Sequence, residues 1–183
     1  MAQLIYAAIA SVDGYVADAD GRFAWAEPSE EVHAFVNGVS RRVGTFLLGR
    51  RMYDVLETWE TIDDEHPAMR DFADIWRSAD KIVYSRTLEQ VRTSRTRLER
   101  EFDAGEIARR KASDERDLSI SGPELAGHAM RAGLVDEWHL FVVPHLVGGG
   151  TRALPDEVRV RLTLEDERRF GDGTLYLRYS AAS

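Results

Sequence analysis

The sequence has 183 residues, enough for one domain with a sizeable buried core, and it carries 24 Lys and Arg against 32 Asp and Glu, a net charge of −8. Binding nucleic acid over a broad surface needs a basic face, so we expect no nucleic-acid partner. The sequence contains no Cys, which excludes disulfides, thiolate metal sites and thiol catalysis. We predict one domain over residues 1–183.

The first strand is predicted near the start of the sequence. Leu4–Ala10 is a short apolar run that ends at the turn-forming stretch Ser11-Val12-Asp13-Gly14. This opening has no positively charged leading region and is too short for a membrane-spanning helix, so we expect no membrane association and a cytoplasmic protein. A helix is predicted to start at Pro28-Ser29-Glu30-Glu31, where Ser or Pro opens the first turn and the acids face the positive end of the dipole.

Strand and helix patterns alternate as far as Gly133. Each strand is a short apolar run, and each helix shows apolar residues at helical spacing or a capping residue at its start. The next predicted strands are Thr45–Leu48, Lys81–Tyr84, Thr93–Leu98 and Leu118–Ile120. The predicted helices cover Met52–Leu56, Ala68–Ser78, Asp103–Ala112 and the segment from Pro123 to Gly133.

The pattern changes after Gly133. Trp138–Val143, Val158–Leu164 and Thr174–Tyr179 are predicted as strands, and Gly/Pro turns rather than helices separate them. We therefore predict an α/β fold with a mixed, mostly parallel sheet, antiparallel C-terminal strands and flanking helices.

Three predicted strand ends carry residues suited to binding an anion. Leu48-Gly49-Arg50-Arg51 and Ile120-Ser121-Gly122-Pro123-Glu124 are strand-to-helix turns, in which Gly allows a ligand to come close and free N–H groups attract phosphate. Ser85-Arg86-Thr87 ends a third strand. Ligands of open α/β sheets bind beyond the carboxyl ends of the strands, so we expect all three at one edge. The basic stretch Arg92–Arg100 is interpreted as a solvated face.

The glycine-rich stretch Gly148-Gly149-Gly150-Thr151-Arg152-Ala153 fits a loose dinucleotide-binding pattern. No amphipathic helix follows it and Pro155 interrupts the segment, so we predict a loop and reject a Rossmann fold. His139 alternates with apolar neighbours on a predicted strand, which favours a structural role. The spacing of the histidines suggests no metal site.

The order of these motifs resembles the dihydrofolate reductase fold, and in particular the RibD C-terminal domain, the reductase domain of riboflavin biosynthesis, with its stand-alone relatives. The matching segments span Leu4 to Tyr179. They are Ser11-Val12-Asp13-Gly14-Tyr15-Val16-Ala17, Leu48-Gly49-Arg50-Arg51-Met52-Tyr53, Tyr84-Ser85-Arg86-Thr87-Leu88, Ser121-Gly122-Pro123-Glu124-Leu125, and the pair Gly133–Glu137 and Pro144–Gly150. The family usually has Thr in place of Met52 and paired glycines in place of Ser121-Gly122.

The resemblance implies a three-layer fold, a small-molecule substrate and an NADPH site, in which the arginines bind the 2′-phosphate and a helix start faces the pyrophosphate. It also implies a homodimer, for which Trp138–Val143 and the residues after it offer an apolar surface. The implied cofactor-binding residues are Gly49, Arg50, Arg51, Ser85, Arg86, Thr87, Ser121, Gly122, Pro123, Glu124 and Leu125.

Hydride transfer to a C=N or C=O bond also needs a proton donor, for which the candidates are Asp13, Glu30 and Glu31. Asp13 is equally well explained as a turn-former that accepts backbone N–H bonds. For Glu30 and Glu31, helix-start electrostatics is the favoured explanation. Trp25 and Trp59 are candidates to wall a pocket for a flat heterocycle, with core packing as the alternative.

These features lead us to expect an NADPH-dependent reductase of a small heterocyclic or ribosylated substrate, related to 5-amino-6-(5-phosphoribosylamino)uracil reductase. Two alternatives remain open. One is a non-catalytic nucleotide-binding or sensor protein with the same fold, since fold alone does not establish activity. The other is a true dihydrofolate reductase, which the lack of a clear helix-borne Asp beside a Trp disfavours.

Overall fold

The computed structural model describes residues 1–63 and 66–182. Its strands are β1 Leu4–Ser11, β2 Tyr15–Ala17, β3 Val43–Gly49, β4 Asp80–Tyr84, β5 Thr96–Glu99, β6 Asp117–Ser121, β7 Glu137–Val143, β8 Thr151–Arg152, β9 Leu162–Arg169 and β10 Leu175–Ala181. Its α-helices are α1 Glu30–Ser40, α2 Arg50–Leu56, α3 Pro67–Ser78, α4 Ala104–Ser113 and α5 Pro123–Arg131. Short 3-10 turns cover Ala24–Ala26 and Glu57–Glu60.

Eight of these strands form one sheet, in the order β5-β4-β3-β6-β1-β7-β10-β9. The six strands from β5 to β7 run parallel, and β10 and β9 complete the sheet antiparallel. The fold is α/β with a mixed, mostly parallel sheet, which confirms the class predicted from the alternation of strand and helix patterns. β2 and β8, which the sequence did not predict, pair with each other outside this sheet.

Apolar side chains cover both faces of the sheet because successive residues of a strand point to opposite sides. Leu4 and Tyr6 of β1 pack on one side in a cluster with residues of α4 and α5. Ile5 of the same strand packs on the other side with α2 and α3, where Trp76 is fully buried. α1 adds Val32 to a third cluster that includes aromatic residues of β7 and β10.

Helix starts follow the capping residues of the sequence. Ser29 caps α1, and its hydroxyl oxygen accepts a hydrogen bond from the N–H of Val32 at 3.4 Å. Asp103 caps α4, with its carboxylate 2.8 Å from the N–H of Gly105. These side-chain bonds satisfy N–H groups that the first turn of a helix leaves free, which explains why both starts were predictable.

Two predicted strand boundaries are wrong. The strand predicted over Val158–Leu164 is found at Leu162–Arg169, because Val158 packs against the core from a loop and the charged residues beyond Leu164 form an exposed edge strand without apolar alternation. The strand predicted from Thr93 begins at Thr96, after a turn in which Arg95 has a φ of 51°.

Among the described residues, no helix is long and apolar enough to cross a bilayer.

Candidate functional site

The three predicted anion-binding turns lie side by side. β4, β3 and β6 are neighbours and parallel, so their carboxyl ends reach the same edge of the sheet. The register pairs Gly49 with Tyr84, the residue before Ser85, and pairs Leu48 with Ser121. We call this edge, formed by residues 49–51, 85–87 and 121–125, the nucleotide edge, after the ligand that we propose for it.

The first and third of these turns lie close together. A Cβ placed on Gly49 would lie 3.8 Å from the Cβ of Leu125, and one placed on Gly122 would lie 3.9 Å from the Cβ of Met52. Gly122 has a φ of 93°, a conformation that residues with a side chain rarely adopt. α2 and α5 therefore begin next to each other.

The start of α5 offers backbone donors to a ligand. Gly122 caps the helix without a side-chain hydrogen bond, and Pro123 takes the first helical position, where its missing N–H costs nothing. The N–H groups of Glu124 and Leu125 belong to the first turn and have no acceptor within the helix. The side chain of Leu125 is buried in the core, so this residue faces the edge through its backbone.

Arg50 is held by a residue that the sequence analysis missed. Its Nε lies 3.0 and 2.7 Å from the two carboxylate oxygens of Asp54, one helical turn along α2. The signal was present, since an acid four residues from an arginine on a helix is a favourable pair. Arg51, by contrast, is exposed and makes no ion pair with any described residue.

The turn at residues 85–88 is tightly built. The Ser85 hydroxyl accepts hydrogen bonds from the N–H groups of Thr87, at 3.3 Å, and Leu88, at 3.0 Å. Nη1 of Arg100 donates to the carbonyls of Ser85 and Leu88 at 3.0 and 2.7 Å. The Arg86 side chain is 79% exposed, and its ion pair with Glu101, at 3.4 Å, is weak because both groups are solvated. This guanidinium can therefore turn towards a ligand at little cost.

The interpretation of Arg92–Arg100 as a solvated face is confirmed for Arg92, Arg95 and Arg97, whose side chains are 45–54% exposed, and each arginine of the stretch also has a defined partner. These partners are nearby acids on neighbouring elements, or backbone carbonyls in the case of Arg100. The pairs are Arg92 with Glu57, Arg95 with Asp80, Arg97 with Glu106, and Arg100 with the carbonyls of the 85–88 turn. The stretch joins β5 to its surroundings.

Asp13 supports a loop. Its carboxylate accepts hydrogen bonds from the N–H groups of Val147, at 3.1 Å, and Gly148, at 2.7 Å. A hydrogen bond from Ser11 and those from the backbone lower the pKa of Asp13 to about 2. These contacts match the turn-forming alternative, and an ionised carboxylate has no proton to donate at neutral pH. In the glycine-rich stretch Gly148–Ala153, the three glycines form a loop and Thr151–Arg152 form β8.

The two candidate carboxylates of α1 face different neighbours. Oε1 of Glu30 lies 3.4 Å from Nε2 of His66, just before α3. Glu31 instead accepts from the N–H of Gly171 at 3.1 Å and from Arg168 at 2.9 Å, and these two bonds lower its pKa. Glu31 is thus bound to the β9–β10 hairpin, whereas Glu30 is exposed towards α3.

The two candidate pocket tryptophans contact histidines. The ring of Trp25 lies 6.3 Å from that of His145, and the ring of Trp59 lies 5.6 Å from that of His33, which the sequence analysis did not single out. Burial, followed by the neighbouring His66, lowers the pKa of His33 and favours its neutral form. Among the described residues, no three His, Asp or Glu side chains are grouped so as to hold a metal ion.

The sequence matches the family of the RibD C-terminal domain over residues 2–176. The chain belongs to this family. RibD C-terminal domains are reductases with a dihydrofolate reductase-like fold, so the family confirms the resemblance seen in the motifs. No curated protein matches the sequence.

Solved structures share the fold of this RibD C-terminal domain. A protein provisionally assigned to riboflavin biosynthesis in Shewanella sp. PV-4 matches with a TM-score of 0.78 and 22% identity, over 100% of both chains. A diaminohydroxyphosphoribosylaminopyrimidine deaminase/5-amino-6-(5-phosphoribosylamino)uracil reductase of Thermotoga maritima matches with a TM-score of 0.68 and 14% identity, over 99% of this chain and 57% of the other. A dihydrofolate reductase of Enterococcus faecalis complexed with NADP(H) matches with a TM-score of 0.67 and 13% identity, over 99% of this chain and 97% of the other.

Proposed function

We propose that this RibD C-terminal domain is an NADPH-dependent reductase of a small heterocyclic or ribosylated substrate, related to 5-amino-6-(5-phosphoribosylamino)uracil reductase. The observation that carries the proposal is the meeting of three turns at the nucleotide edge, in a chain whose family consists of reductases. A chain with a net charge of −8 concentrates guanidinium groups and free backbone donors there.

The residues of the nucleotide edge fit a dinucleotide phosphate. The positive φ of Gly122 and the free N–H groups of Glu124 and Leu125 suit the pyrophosphate, which favours the positive end of a helix dipole. Arg50 and Arg86 lie on the two neighbouring strand ends and suit the 2′-phosphate, because a guanidinium can form two parallel hydrogen bonds to phosphate. This arrangement favours NADPH over NADH.

NADPH, when bound, supplies a hydride to the substrate. The reduction also needs a proton, and the ionised Asp13 does not supply it. The hydrogen bonds from Gly171 and Arg168 lower the pKa of Glu31 as well, which leaves Glu30, 3.4 Å from His66, as the remaining candidate. Trp25 and Trp59 offer flat surfaces near this helix start for a heterocyclic ring.

The first test is a fluorescence titration of the protein with NADPH and NADH. We expect NADPH to bind at least about tenfold more tightly than NADH, and Arg50→Gln and Arg86→Gln each to reduce this preference. Arg169→Gln is the matched control, because it removes the same charge from β9, which lies four strand positions from β6 and so far from the nucleotide edge. Failure to bind either nucleotide would exclude the reductase function.

The second step separates the alternatives. NADPH oxidation is followed with a panel that includes 5-amino-6-(5-phosphoribosylamino)uracil and dihydrofolate. Turnover of the pyrimidine supports the proposal, whereas turnover of dihydrofolate makes the protein a dihydrofolate reductase. Binding of NADPH without consumption across the whole panel is the behaviour of a sensor.

We also propose that the protein forms a homodimer through the side of β7, β10 and β9 that carries Leu140, Leu175 and Leu164. The register brings Leu177 opposite Leu140 and Leu175 opposite Val142, all on one face. Leu164 and Leu175 are 47% and 43% exposed, and exposed apolar patches mark interaction surfaces. A second copy is the proposed occupant, because a twofold axis lets the same patch cover itself on both subunits.

A further inference from the structure

A groove of about 580 Å³ lies between α1 and the C-terminal strands. Its wall is the outer face of α1 with Phe35 and Gly38, and its floor includes Tyr176 and Arg178 of β10. We call it the α1 groove. Its volume falls within the roughly 300–1,000 Å³ typical of small-molecule sites.

The floor of the α1 groove is held rigid by a buried chain of hydrogen bonds. The Tyr176 hydroxyl lies 2.9 Å from Nδ1 of His139, whose Nε2 lies 2.8 Å from a carboxylate oxygen of Glu137. Glu137 in turn binds the guanidinium of Arg42 at 3.2 and 3.3 Å, and Arg42 also binds Asp117. Both Tyr176 and His139 are 2% exposed. Such a floor loses little freedom when a ligand binds.

The charges of the groove are both positive and negative. Arg168 is bound to Glu31, and Arg42 to Glu137. Arg178 and Asp166 are cross-strand neighbours whose side chains line the groove, yet they form no ion pair with each other or with any other described residue. One guanidinium and one carboxylate therefore line the groove without an ion pair to the described residues, and Oδ1 of Asp166 accepts a hydrogen bond from the N–H of Glu167 at 2.9 Å.

The groove also contains unfilled space along its apolar wall. A Cβ on Gly38 would meet no atom within 4 Å, although Gly38 lies inside a helix, where Ala is more stable. Phe35 lies next to this space, with its ring 4.7 Å from that of Tyr176. This space beside Phe35 and Gly38 is open to an apolar group.

We propose that the α1 groove binds a small zwitterion of the α-amino acid type. The ligand's carboxylate pairs with Arg178, its ammonium with Asp166, and its apolar side chain packs along Phe35 and Gly38. A simple anion would have to lie beside Asp166, and a simple cation beside Arg178, so a ligand carrying both charges fits best.

This site is separate from the nucleotide edge and does not depend on the proposed reductase activity. β10 lies four strand steps from β3 in the sheet. At about 4.8 Å per step this amounts to roughly 19 Å. The groove also lies beside α1, whereas the nucleotide edge lies at the starts of α2 and α5.

The test is a titration of the ¹⁵N-labelled protein with L-phenylalanine, followed by amide chemical shifts. Phenylpropionate and phenethylamine, each lacking one of the two charges, are the comparison probes. We expect L-phenylalanine to shift amides of α1 and β10, and each comparison probe to bind at least about fivefold more weakly. Arg178→Gln and Asp166→Asn should each weaken L-phenylalanine binding to a similar degree.

Two variants make the result specific to the groove. Gly38→Leu fills the empty space and improves helix propensity, so it should abolish binding while the melting temperature stays the same or rises. Arg169→Gln removes a charge from the opposite face of β9 and should leave binding unchanged. Shifts confined to Gly122 and Thr87, no shifts at millimolar ligand, or equal binding of phenylpropionate would each overturn the proposal. A change of oligomeric state in Gly38→Leu would identify the groove as a subunit interface and overturn it as well.

Discussion

Arg50 and Asp54 form an ion pair one helical turn apart on α2, in which Nε of the guanidinium contacts both oxygens of the carboxylate. The outer nitrogens of Arg50 make no hydrogen bond to the described residues. The carboxylate thus fixes the direction of the guanidinium and leaves its outer nitrogens available to the phosphate that we propose there.

Replacing Asp54 with Ala should weaken NADPH binding about three- to tenfold, because Arg50 loses its orientation. The free energy of unfolding should fall by only about 0.5 kcal/mol, as expected for an exposed pair on a helix. Fluorescence titration and urea unfolding measure the two effects. An unchanged or tighter NADPH affinity would mean that Asp54 opposes the ligand instead of directing Arg50.

Gly122→Ala should destabilise the protein by about 1–2 kcal/mol, because the φ of 93° forces an L-residue into a strained backbone conformation. NADPH affinity should fall as well, since the turn before α5 must shift. Gly38→Ala is the control, because the same added methyl group stabilises a helix interior by about 0.5–1 kcal/mol. Equal effects of the two substitutions on urea unfolding would argue against strain at Gly122.

The carboxylate of Asp13 should make stability depend on pH at the acidic end. Its pKa is about 2 in the folded protein against 3.8 in the unfolded chain, so the folded state favours the ionised form. This stabilisation is complete above about pH 5 and is mostly lost as the pH falls towards 2. Urea unfolding of wild type and Asp13→Asn should therefore differ most above about pH 5 and approach each other near pH 2. A difference that stays constant over this range would contradict the assigned hydrogen bonds.

His139→Leu should lower the free energy of unfolding by about 1–3 kcal/mol. The buried Tyr176 hydroxyl loses its hydrogen-bond partner, and the Glu137 carboxylate loses one of its two side-chain partners. His128→Gln changes an exposed histidine and should alter stability by less than about 0.5 kcal/mol. Urea denaturation curves at neutral pH give both values. Similar stabilities of the two variants would show that the buried network contributes little.

Self-association should be sensitive to charge on the apolar side of the C-terminal strands. Leu164→Glu combined with Leu175→Glu should convert a dimer to a monomer in light scattering after size exclusion, because four charges would be buried across the twofold axis. Thr163→Glu lies on the same strand but on the opposite face, and should leave the dimer intact. A wild-type monomer at all concentrations would rule out this assembly.

The sequence predicted the parts of the fold that local patterns determine. Ser29 and Asp103 marked helix starts because capping is a short-range interaction, and the strand ends at Gly49 and Ser121 followed from apolar runs that stop at glycine or serine. The bounds of the charged β9 were predicted wrongly because an edge strand with few buried residues has no apolar alternation. Its pairing depends on β10, not on its own composition.

The candidate site was predictable as a set of turns, but not as a set of contacts. Glu30 and Glu31 are adjacent in the sequence, yet a helix turns by about 100° per residue, so one faces His66 and the other Arg168. Which neighbour each would meet depends on the positions of α3 and the β9–β10 hairpin. No local pattern contains that information.

The position of β1 in the middle of the sheet has a consequence for biosynthesis. Its partners are β6, which begins at Asp117, and β7, which begins at Glu137, so the first strand to leave the ribosome has no sheet neighbour until most of the chain has been made. At about 5–20 residues per second, this delay lasts on the order of 10 s. During that time the apolar stretch Leu4–Ala10 is exposed to other chains and to chaperones. Premature termination before Asp117 should therefore yield aggregating fragments rather than a smaller folded unit.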